Sequence, residues 1–336
     1  MPELYISIAG FIGCAAIIFY AGKRLSYYGD ALAELTGLGK AWIGLILMAA
    51  VTSLPELVVG ISSTVLVQSA DLAVGDILGS CAFNLGILSM MDFFMPKDRP
   101  LFSHVSRSHI LAASFGILLI ALVGLGLFLE QDIAISPFVG LTSFTLLVVY
   151  IIAVKSIYNY QNKNEAQAEA VQGRRPYPLT LRQVVLRYAL VALIIVAAAL
   201  PLPYFVEHIS EATGLGKSFV GTLFLAASTS LPEIAVSLAA IRMGSTDMAV
   251  GNLLGSNLFN VFILFLGDVF YTKGHLLKDA SDVNLLSVFF TIMMSGVAMI
   301  GFIFPSKEKK YIMAMDTLAI FCLYVVNMLL LYFLAS

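Results

Sequence analysis

Charged residues are scarce in this chain of 336 residues, at 12% of the sequence, whereas ordinary soluble domains hold about 25%. Hydrophobic residues make up 60%, which is more apolar surface than a water-soluble core of this size can cover. We therefore expect membrane lipid to cover the remainder. The net charge of −2 gives no reason to expect nucleic acid as a partner.

Cysteine is also rare, and three common catalytic motifs do not occur. Cys14, Cys81 and Cys322 lie far apart within apolar runs, which gives neither a disulfide framework nor metal-ligand spacing and predicts buried, inert thiols. His-Glu-x-x-His, Gly-x-Ser-x-Gly and Gly-x-Gly-Asp do not occur in the sequence. The sequence therefore disfavours an enzyme, and it predicts neither catalytic residues nor a bound cofactor.

Ten apolar runs are each long enough for a membrane span, which needs about 20 residues. We number them spans 1 to 10, at residues 4–22, 40–66, 71–94, 109–129, 134–154, 183–204, 217–241, 247–271, 284–304 and 312–334. Helices are expected because backbone groups in lipid must be hydrogen-bonded within their own segment. The predicted fold is an all-α membrane protein with ten transmembrane helices.

Lysine and arginine predict the orientation, because they concentrate in the inner loops of membrane proteins. With the N-terminus outside, 16 of these 19 residues fall on the inner side. The three that fall outside are Lys217, Lys273 and Lys278. We therefore expect five spans in residues 1–155 with the N-terminus outside, a cytoplasmic linker at 156–182, and five spans in 183–336 with the C-terminus outside. The expected location is the cell or inner membrane, with the protein working as a monomer.

The two halves share three segments in the same order. Glu34–Gly44 recurs as Glu211–Gly221 with seven of eleven positions identical, Ala49–Glu56 recurs as Ala226–Glu233, and Asp71–Asn84 recurs as Asp247–Asn260. Because each half holds an odd number of spans, the second copy must cross the membrane in the opposite sense. The sequence thus predicts two inverted five-helix repeats, a plan typical of secondary transporters that bind their substrate between the repeats.

The repeated motif Thr-Ser-Leu-Pro-Glu places one acid near the middle of each of spans 2 and 7, Glu56 and Glu233. Glu56 lies about ten residues from the end of its span, which is roughly 15 Å along a helix. A carboxylate at this depth costs about 2.5–3.5 kcal/mol on insertion scales. No lysine or arginine lies at matching depth, so we expect a mobile metal cation as the counter-charge instead of two protonated structural acids.

Oxygen-bearing groups surround each acid. Pro55 and Pro232 withhold a backbone donor from the preceding turn, which predicts interrupted helices and free carbonyls near residues 49–52 and 226–229. Hydroxyl and amide side chains lie nearby in spans 2, 3, 7 and 8: Thr52, Ser53, Ser80, Asn84, Thr229, Ser230, Ser256 and Asn260. Such hard oxygen ligands suit Ca²⁺ and Na⁺ and disfavour Zn²⁺ and Cu⁺.

Besides Asp71 and Asp247 at their first positions, spans 3 and 8 hold three further acids. Asp76 has Asn252 at the matching place, and it is either a third carboxylate bordering the site or a solvated vestibule residue. Asp92 and Asp268 match each other near helix ends and are expected at the membrane interface. The histidines fall in loops or at helix ends and are expected to be solvated: His104, His109, His208 and His275.

Thr-Ser-Leu-Pro-Glu and Gly-Ser-x-x-Phe-Asn, each present once per half, resemble the motifs of the cation/calcium exchanger superfamily and most of all its sodium/calcium exchanger branch. The resemblance covers essentially the whole chain. It implies four ion sites lined by helices 2, 3, 7 and 8, all interrupted at the site, and alternating access as helices 1 and 6 slide across them. It carries the ion ligands over to Ala49, Thr52, Ser53, Glu56, Ser80 and Asn84, and to Ala226, Thr229, Ser230, Glu233, Ser256 and Asn260.

The implied function is exchange of Ca²⁺ for Na⁺ across the membrane. Asn260 departs from the family, which usually has aspartate there, so two central carboxylates remain, and their charge balances one Ca²⁺ or two Na⁺. Our hypothesis is that fewer ions move per cycle, with Asp76 as the candidate for compensation. Coupling to H⁺ and a requirement for K⁺ stay open, and a passive cation channel is the alternative in a different class.

Overall fold

A computed structural model describes residues 2–129, 134–136, 139–172, 177–213 and 226–335. The helices, numbered in chain order, are α1 (Pro2–Thr36), α2 (Lys40–Thr52), α3 (Leu54–Val67), α4 (Ala70–Met91), α5 (Ser108–Phe128), α6 (Leu141–Gln172), α7 (Leu181–Ala199), α8 (Leu202–Ala212), α9 (Leu231–Arg242), α10 (Thr246–Phe270), α11 (Leu276–Asp279), α12 (Asn284–Ile303) and α13 (Met315–Ala335). A short antiparallel ribbon pairs β1 (Ala134–Ser136) with β2 (Val139–Gly140). The described chain is thus almost entirely helical, as predicted.

Eight segments of the described chain are long and apolar enough to cross a membrane, and the bent pair α2–α3 makes a ninth if it forms one span. They coincide with predicted spans 1 to 6 and 8 to 10. Predicted span 7, at 217–241, falls partly on residues 214–225, which lie outside the described ranges. The count of ten therefore stays a prediction. Of the described spans, α4 and α10 are the most enclosed by the rest of the protein.

Helix α1 runs well past the predicted end of span 1, and its 35 residues extend about 52 Å, beyond the roughly 30 Å of hydrocarbon. Asp30 anchors the extension: it pairs with Lys40 at 2.7 Å and accepts hydrogen bonds from Ser245 and Tyr177, each at 2.7 Å. Burial and the bond to Asp30 raise the pKa of Tyr177, so its hydroxyl stays protonated and keeps donating. Hydropathy misses this extension because polar partners, not lipid, stabilise it.

The interruption predicted for spans 2 and 7 is present, whereas that predicted for spans 3 and 8 is wrong. Helices α2 and α3 meet at an angle of 41° across Ser53, and Ser230 forms a turn between helical residues 226–229 and α9. In contrast, α4 and α10 are continuous. Neither contains a proline, and a glycine inside a helix costs only about 1 kcal/mol, which is too little to break it.

Helix α10 packs against α2 backbone to backbone. A Cβ atom added to Gly251 would lie 2.6 Å from the carbonyl oxygen of Ala41, and one added to Gly255 would overlap the backbone of Leu45. Gly44 packs in the same way on the backbone of α10. Glycine lets helices approach this closely because it carries no side chain. This contact fixes the position of α10 beside the break at Ser53.

Asp92, expected at the membrane interface, lies at the end of α4, and its side chain is fully buried in the protein. The carboxylate accepts hydrogen bonds from the backbone N–H groups of Leu101 and Ala314, both at 2.8 Å, and from the hydroxyl of Thr317 at 3.0 Å. It also pairs with buried Lys309 at 3.3 Å. Asp92 thus ties the end of α4 to the start of α13, and these partners stabilise the charge without water.

Asp268, also expected at the membrane interface, is likewise fully buried in the protein, near the end of α10. It accepts hydrogen bonds from the backbone N–H of Leu276 at 2.6 Å and from that of Gly140 at 3.2 Å. It therefore ties the end of α10 to the start of α6, as Asp92 does for α4 and α13. No lysine or arginine of the described residues pairs with Asp268.

The expectation of solvated histidines is wrong for His109, whose side chain is fully buried. Its Nε2 atom lies 3.0 Å from the carboxylate of Asp247, which also accepts a hydrogen bond from the backbone N–H of Ser106. A charged partner from the other half of the chain thus replaces water. His208 and His275 are half-buried, and the side chain of His104 lies outside the described residues.

The prediction of buried thiols holds for Cys81 and is wrong for Cys322, which is exposed, while Cys14 is half-buried. Cys322 lies in α13, an apolar span that presents much of its surface to the outside of the protein. Lipid covers an apolar surface of this kind, so a side chain there needs no protein core around it.

Candidate functional site

The two Thr-Ser-Leu-Pro-Glu motifs adopt the same local backbone. Ser53 has φ −89° and ψ 8°, and Ser230 has φ −85° and ψ 12°. In each case the proline and the glutamate fall in the first turn of the following helix, α3 or α9. Proline is accepted there because the first turn needs no backbone donor. Each serine hydroxyl is thereby placed at a helix break, ahead of an acid.

The carbonyls of Ala49 and Ala226 are not free, contrary to expectation. Ala49 accepts the backbone N–H of Ser53 at 3.0 Å and the hydroxyl of Thr52 at 3.3 Å. Ala226 accepts the backbone N–H of Ser230 at 3.3 Å and the hydroxyl of Thr229 at 2.9 Å. A proline has no backbone N–H to donate to the carbonyl four residues before it. Neither alanine stands four residues before its proline, so both alanine carbonyls keep their helical hydrogen bonds.

The two motifs, distant in sequence, are joined by reciprocal hydrogen bonds, in which each glutamate accepts from the serine of the other motif. Ser53 donates to Oε1 of Glu233 at 3.2 Å, and Ser230 donates to Oε1 of Glu56 at 3.3 Å. Glu56 is 1% exposed and Glu233 is 0% exposed. The Oε2 atom of each is buried with no hydrogen-bond partner in the described part of the protein. Two carboxylates, one from each half, are therefore enclosed with unused oxygen lone pairs.

Further hydroxyl groups extend this cluster into α10. Ser256 donates to Oε1 of Glu233 at 3.3 Å, and its oxygen lies 3.3 Å from the hydroxyl of Thr52. The remaining predicted side chains are also buried. Ser80 and Asn84 each carry an oxygen without a hydrogen-bond partner among the described residues, and Asn260 is 1% exposed.

No fixed positive charge balances the two acids. Of the five ion pairs within the described ranges, none includes Glu56 or Glu233. The same part of the chain holds no group of three or more histidines, cysteines, aspartates and glutamates placed to bind a metal. The site is therefore a cluster of oxygen atoms with two carboxylates, unlike the nitrogen and sulfur sites that suit transition metals.

Two asparagines of α10 belong to the site and were missed from the sequence. Asn252 accepts a hydrogen bond from Thr52 at 3.3 Å and donates to Ser237 at 3.0 Å. Asn257 accepts a hydrogen bond from Asn84 at 3.1 Å. The available signal was a side-chain amide inside an apolar helix, because a buried amide requires hydrogen-bond partners.

Apolar spans around a pair of buried acids define a multi-pass integral membrane protein. The family model of the sodium/calcium exchanger protein matches residues 6–155 and 184–333, the greater part of both halves. The chain therefore belongs to the sodium/calcium exchanger protein family. Membership of a family of exchangers places it among transporters rather than enzymes.

Known proteins of similar sequence include bacterial and archaeal membrane proteins. The inner membrane protein YrbG of Escherichia coli (strain K12) is 26% identical over 289 residues, which cover 82% of this chain and 85% of that protein. The sodium/calcium exchanger MaX1 of Methanosarcina acetivorans is 38% identical over 108 residues, 31% of this chain and 29% of its own length.

Among solved structures, one of the sodium–calcium exchanger NCX_Mj superposes with a TM-score of 0.73 at 19% sequence identity. The match covers 97% of this chain and 99% of the other. At this identity the likeness shows that the two chains share a fold.

Proposed function

We propose that this protein is an antiporter that exchanges Ca²⁺ for Na⁺ by alternating access. One observation carries the proposal. Glu56 and Glu233 are both buried, each accepts a hydrogen bond from the serine of the other motif, and neither is paired with a lysine or arginine in the described ranges. Buried carboxylates need a nearby positive charge, and a bound metal cation supplies it. Membership of an exchanger family supports transport of that cation.

The proposed ligands are the oxygen atoms around these two acids. They belong to Ala49, Thr52, Ser53, Glu56, Ser80, Asn84, Ala226, Thr229, Ser230, Glu233, Ser256 and Asn260. Their number suits Ca²⁺, which takes six to eight oxygen ligands. Asp76, whose Oδ2 atom is buried with no hydrogen-bond partner among the described residues, is proposed as a third carboxylate bordering the set. The Ala49 and Ala226 carbonyls can join only by exchanging a present hydrogen bond for the cation.

Electrostatics makes the exchange obligatory in this mechanism. An empty site carries two uncompensated negative charges, which are costly to move through the low-dielectric interior. One Ca²⁺ or two Na⁺ cancel that charge, so only occupied sites switch between facing inside and outside. Transport of one ion is thereby tied to return of the other.

The proposed architecture is two inverted five-helix repeats with both termini outside, formed by residues 1–155 and 183–336 around the linker 156–182. Reciprocal contacts support it. Asp71 accepts hydrogen bonds from the backbone of Ser281 and the side chain of Asn284 at the start of α12, as Asp247 does from the start of α5. Asp92 and Asp268 form a second matched pair. Such pairing is what a pseudo-twofold axis between the halves requires.

The coupling ion is tested with purified protein in liposomes. Radioactive calcium uptake is followed under an imposed Na⁺, H⁺ or K⁺ gradient, one at a time. We expect an outward Na⁺ gradient to drive uptake and an equal pH gradient not to. Uptake driven by the pH gradient alone would make the protein a proton-coupled antiporter, and a K⁺ requirement would make it a potassium-dependent exchanger. Calcium flux with no counter-ion would identify a channel.

Asn260→Asp is expected to increase the number of Na⁺ ions that move per Ca²⁺. A third central carboxylate raises the charge of the empty site from −2 to −3, so a third Na⁺ is needed to neutralise it. The ratio is measured from the Na⁺ gradient that just balances a Ca²⁺ gradient, with the voltage held by valinomycin and K⁺. We expect electroneutral exchange in the wild type and voltage-dependent exchange in the variant. Three-for-one exchange in the wild type, unchanged by the substitution, would contradict this.

A further inference from the structure

Helices α4 and α10 meet beside the ion site at Cys81 and Asn257, which occupy matching positions of the two repeats. Asn257 is 6% exposed, and Asn84 is 1% exposed. The amide nitrogen of Asn257 donates to the backbone carbonyl of Cys81 at 3.1 Å. Its amide oxygen accepts the side-chain amide of Asn84 at 3.1 Å. The two asparagines thus form a short chain of hydrogen bonds that begins at a main-chain carbonyl.

The Cys81 carbonyl determines the donor and the acceptor in both of these hydrogen bonds. A carbonyl oxygen only accepts, so Asn257 must turn its NH₂ group toward Cys81 and its oxygen toward Asn84. Asn84 must then present its own NH₂ group to that oxygen. Its Oδ1 atom is therefore left on the other side, where it is buried with no hydrogen-bond partner among the described residues.

The second repeat has no asparagine in the place of Asn257 to orient its own predicted ligand, Asn260. Asn260 matches Asn84, and the residue at the place of Asn257 is Cys81, whose thiol donates to the backbone carbonyl of Asn257 at 3.9 Å. Both amide atoms of Asn260 lack a hydrogen-bond partner among the described residues. A thiol is a weak donor and a weak acceptor, so it does not fix which end of the Asn260 amide faces the site. The two halves therefore differ in how firmly their asparagine oxygen is held.

We propose that Asn257 is a positioning residue, which holds the amide oxygen of Asn84 toward the bound cation. This inference rests on the proposed function, in which Asn84 is a ligand. A rotation of the Asn84 amide by half a turn would replace the oxygen by an NH₂ group, which repels a cation. Groups that orient a metal ligand typically change metal affinity by about 10–100-fold when they are removed. The expected effect of losing Asn257 lies in this range.

The test compares Asn257→Ala, Asn84→Ala and the double variant, as full-length protein in liposomes. We expect Asn257→Ala to raise the KM for Ca²⁺ by about 10–100-fold with little change in the maximal rate. Asn84→Ala should raise the KM as well, and adding Asn257→Ala to it should cause no further increase, because the oxygen that Asn257 orients is then gone. Equal, additive effects in the two backgrounds would overturn the inference.

An Asn84→Asp background gives an independent readout. A carboxylate presents an oxygen in either orientation and cannot donate to the Asn257 oxygen, so Asn257→Ala should not raise the KM of Asn84→Asp. A purely structural role for Asn257 would instead lower the yield of folded protein and the rate in every background. Cys81→Ala is the matched control, because it keeps the backbone carbonyl and should leave the KM near the wild-type value. Asn257→Ser replaces Asn257→Ala if the alanine variant does not fold.

The Asn84→Ala variant distinguishes a failure of this inference from a failure of the proposed ligand set. If Asn84→Ala leaves the KM for Ca²⁺ unchanged, Asn84 is not a ligand, and the proposed ligand set is wrong at that position together with the inference. If Asn84→Ala raises the KM and Asn257→Ala does not, only the positioning role of Asn257 is wrong.

Discussion

Replacing Glu233 by glutamine is expected to abolish calcium–sodium exchange while the protein stays folded. Glutamine has the same shape, and its side-chain oxygen still accepts the bonds from Ser53 and Ser256. The charge is lost, so a site with one carboxylate no longer neutralises Ca²⁺. Since removing a group that only orients a metal ligand already costs about 10–100-fold in metal affinity, loss of a charged ligand should cost at least about 100-fold. Initial rates of calcium uptake in liposomes measure the effect.

Glu56→Gln should behave in the same way, because its carboxylate receives the reciprocal bond from Ser230. The matched control is Glu207→Gln, at an exposed glutamate of α8, which should retain the wild-type rate. Thermal unfolding and a single peak on size exclusion establish that each variant is folded. Normal uptake by both Glu56→Gln and Glu233→Gln would refute the ion site.

Asp92→Asn is expected to destabilise the protein by about 3–5 kcal/mol, the usual cost of leaving one member of a buried ion pair without its partner. The substitution keeps the size of the side chain but leaves the ammonium group of Lys309 without a counter-charge in a buried position. One amide oxygen also replaces two carboxylate oxygens, so bonds from Leu101, Ala314 and Thr317 compete. The loss appears as a lower midpoint of thermal unfolding in detergent.

Asp268→Asn is the comparison for this prediction. It removes the same charge from the matching position, where no lysine or arginine of the described chain is paired. Its cost should be about 1–3 kcal/mol, the range for a buried polar group that loses a hydrogen bond. In a Lys309→Met background the cost of Asp92→Asn should fall toward the same value. Equal destabilisation by Asp92→Asn and Asp268→Asn in the wild-type background would show that Lys309 contributes nothing.

The sequence was informative wherever hydrophobicity and repetition decide the outcome. Lipid imposes a minimum length on every span, so nine of the predicted spans have a helical counterpart in the described chain. The break at Ser53 was predictable because Pro55 occupies a position that a continuous helix rejects. The interruption that the family resemblance implied for spans 3 and 8 is absent, because α4 and α10 contain no proline and glycine alone does not break a helix.

Contacts between residues far apart in the chain could not be predicted from the sequence. His109 looked solvated because its neighbours in the chain end a loop, but its partner Asp247 comes from the other half. The length of α1 depends on what meets Asp30, and hydropathy carries no information about that. Asn257 occupies a variable position of its motif, so its role emerges only when the carbonyl of Cys81 is placed beside it.

The glycine contact between α2 and α10 limits how the protein can change conformation. Sliding one helix past the other would bring residues that carry a Cβ atom against the Ala41 and Leu45 carbonyls, where the present spacing excludes them. We therefore expect the two helices to move as a single rigid body in the proposed transport cycle. A covalent link between them should leave turnover intact, while one that fastens α1 to this body should stop it.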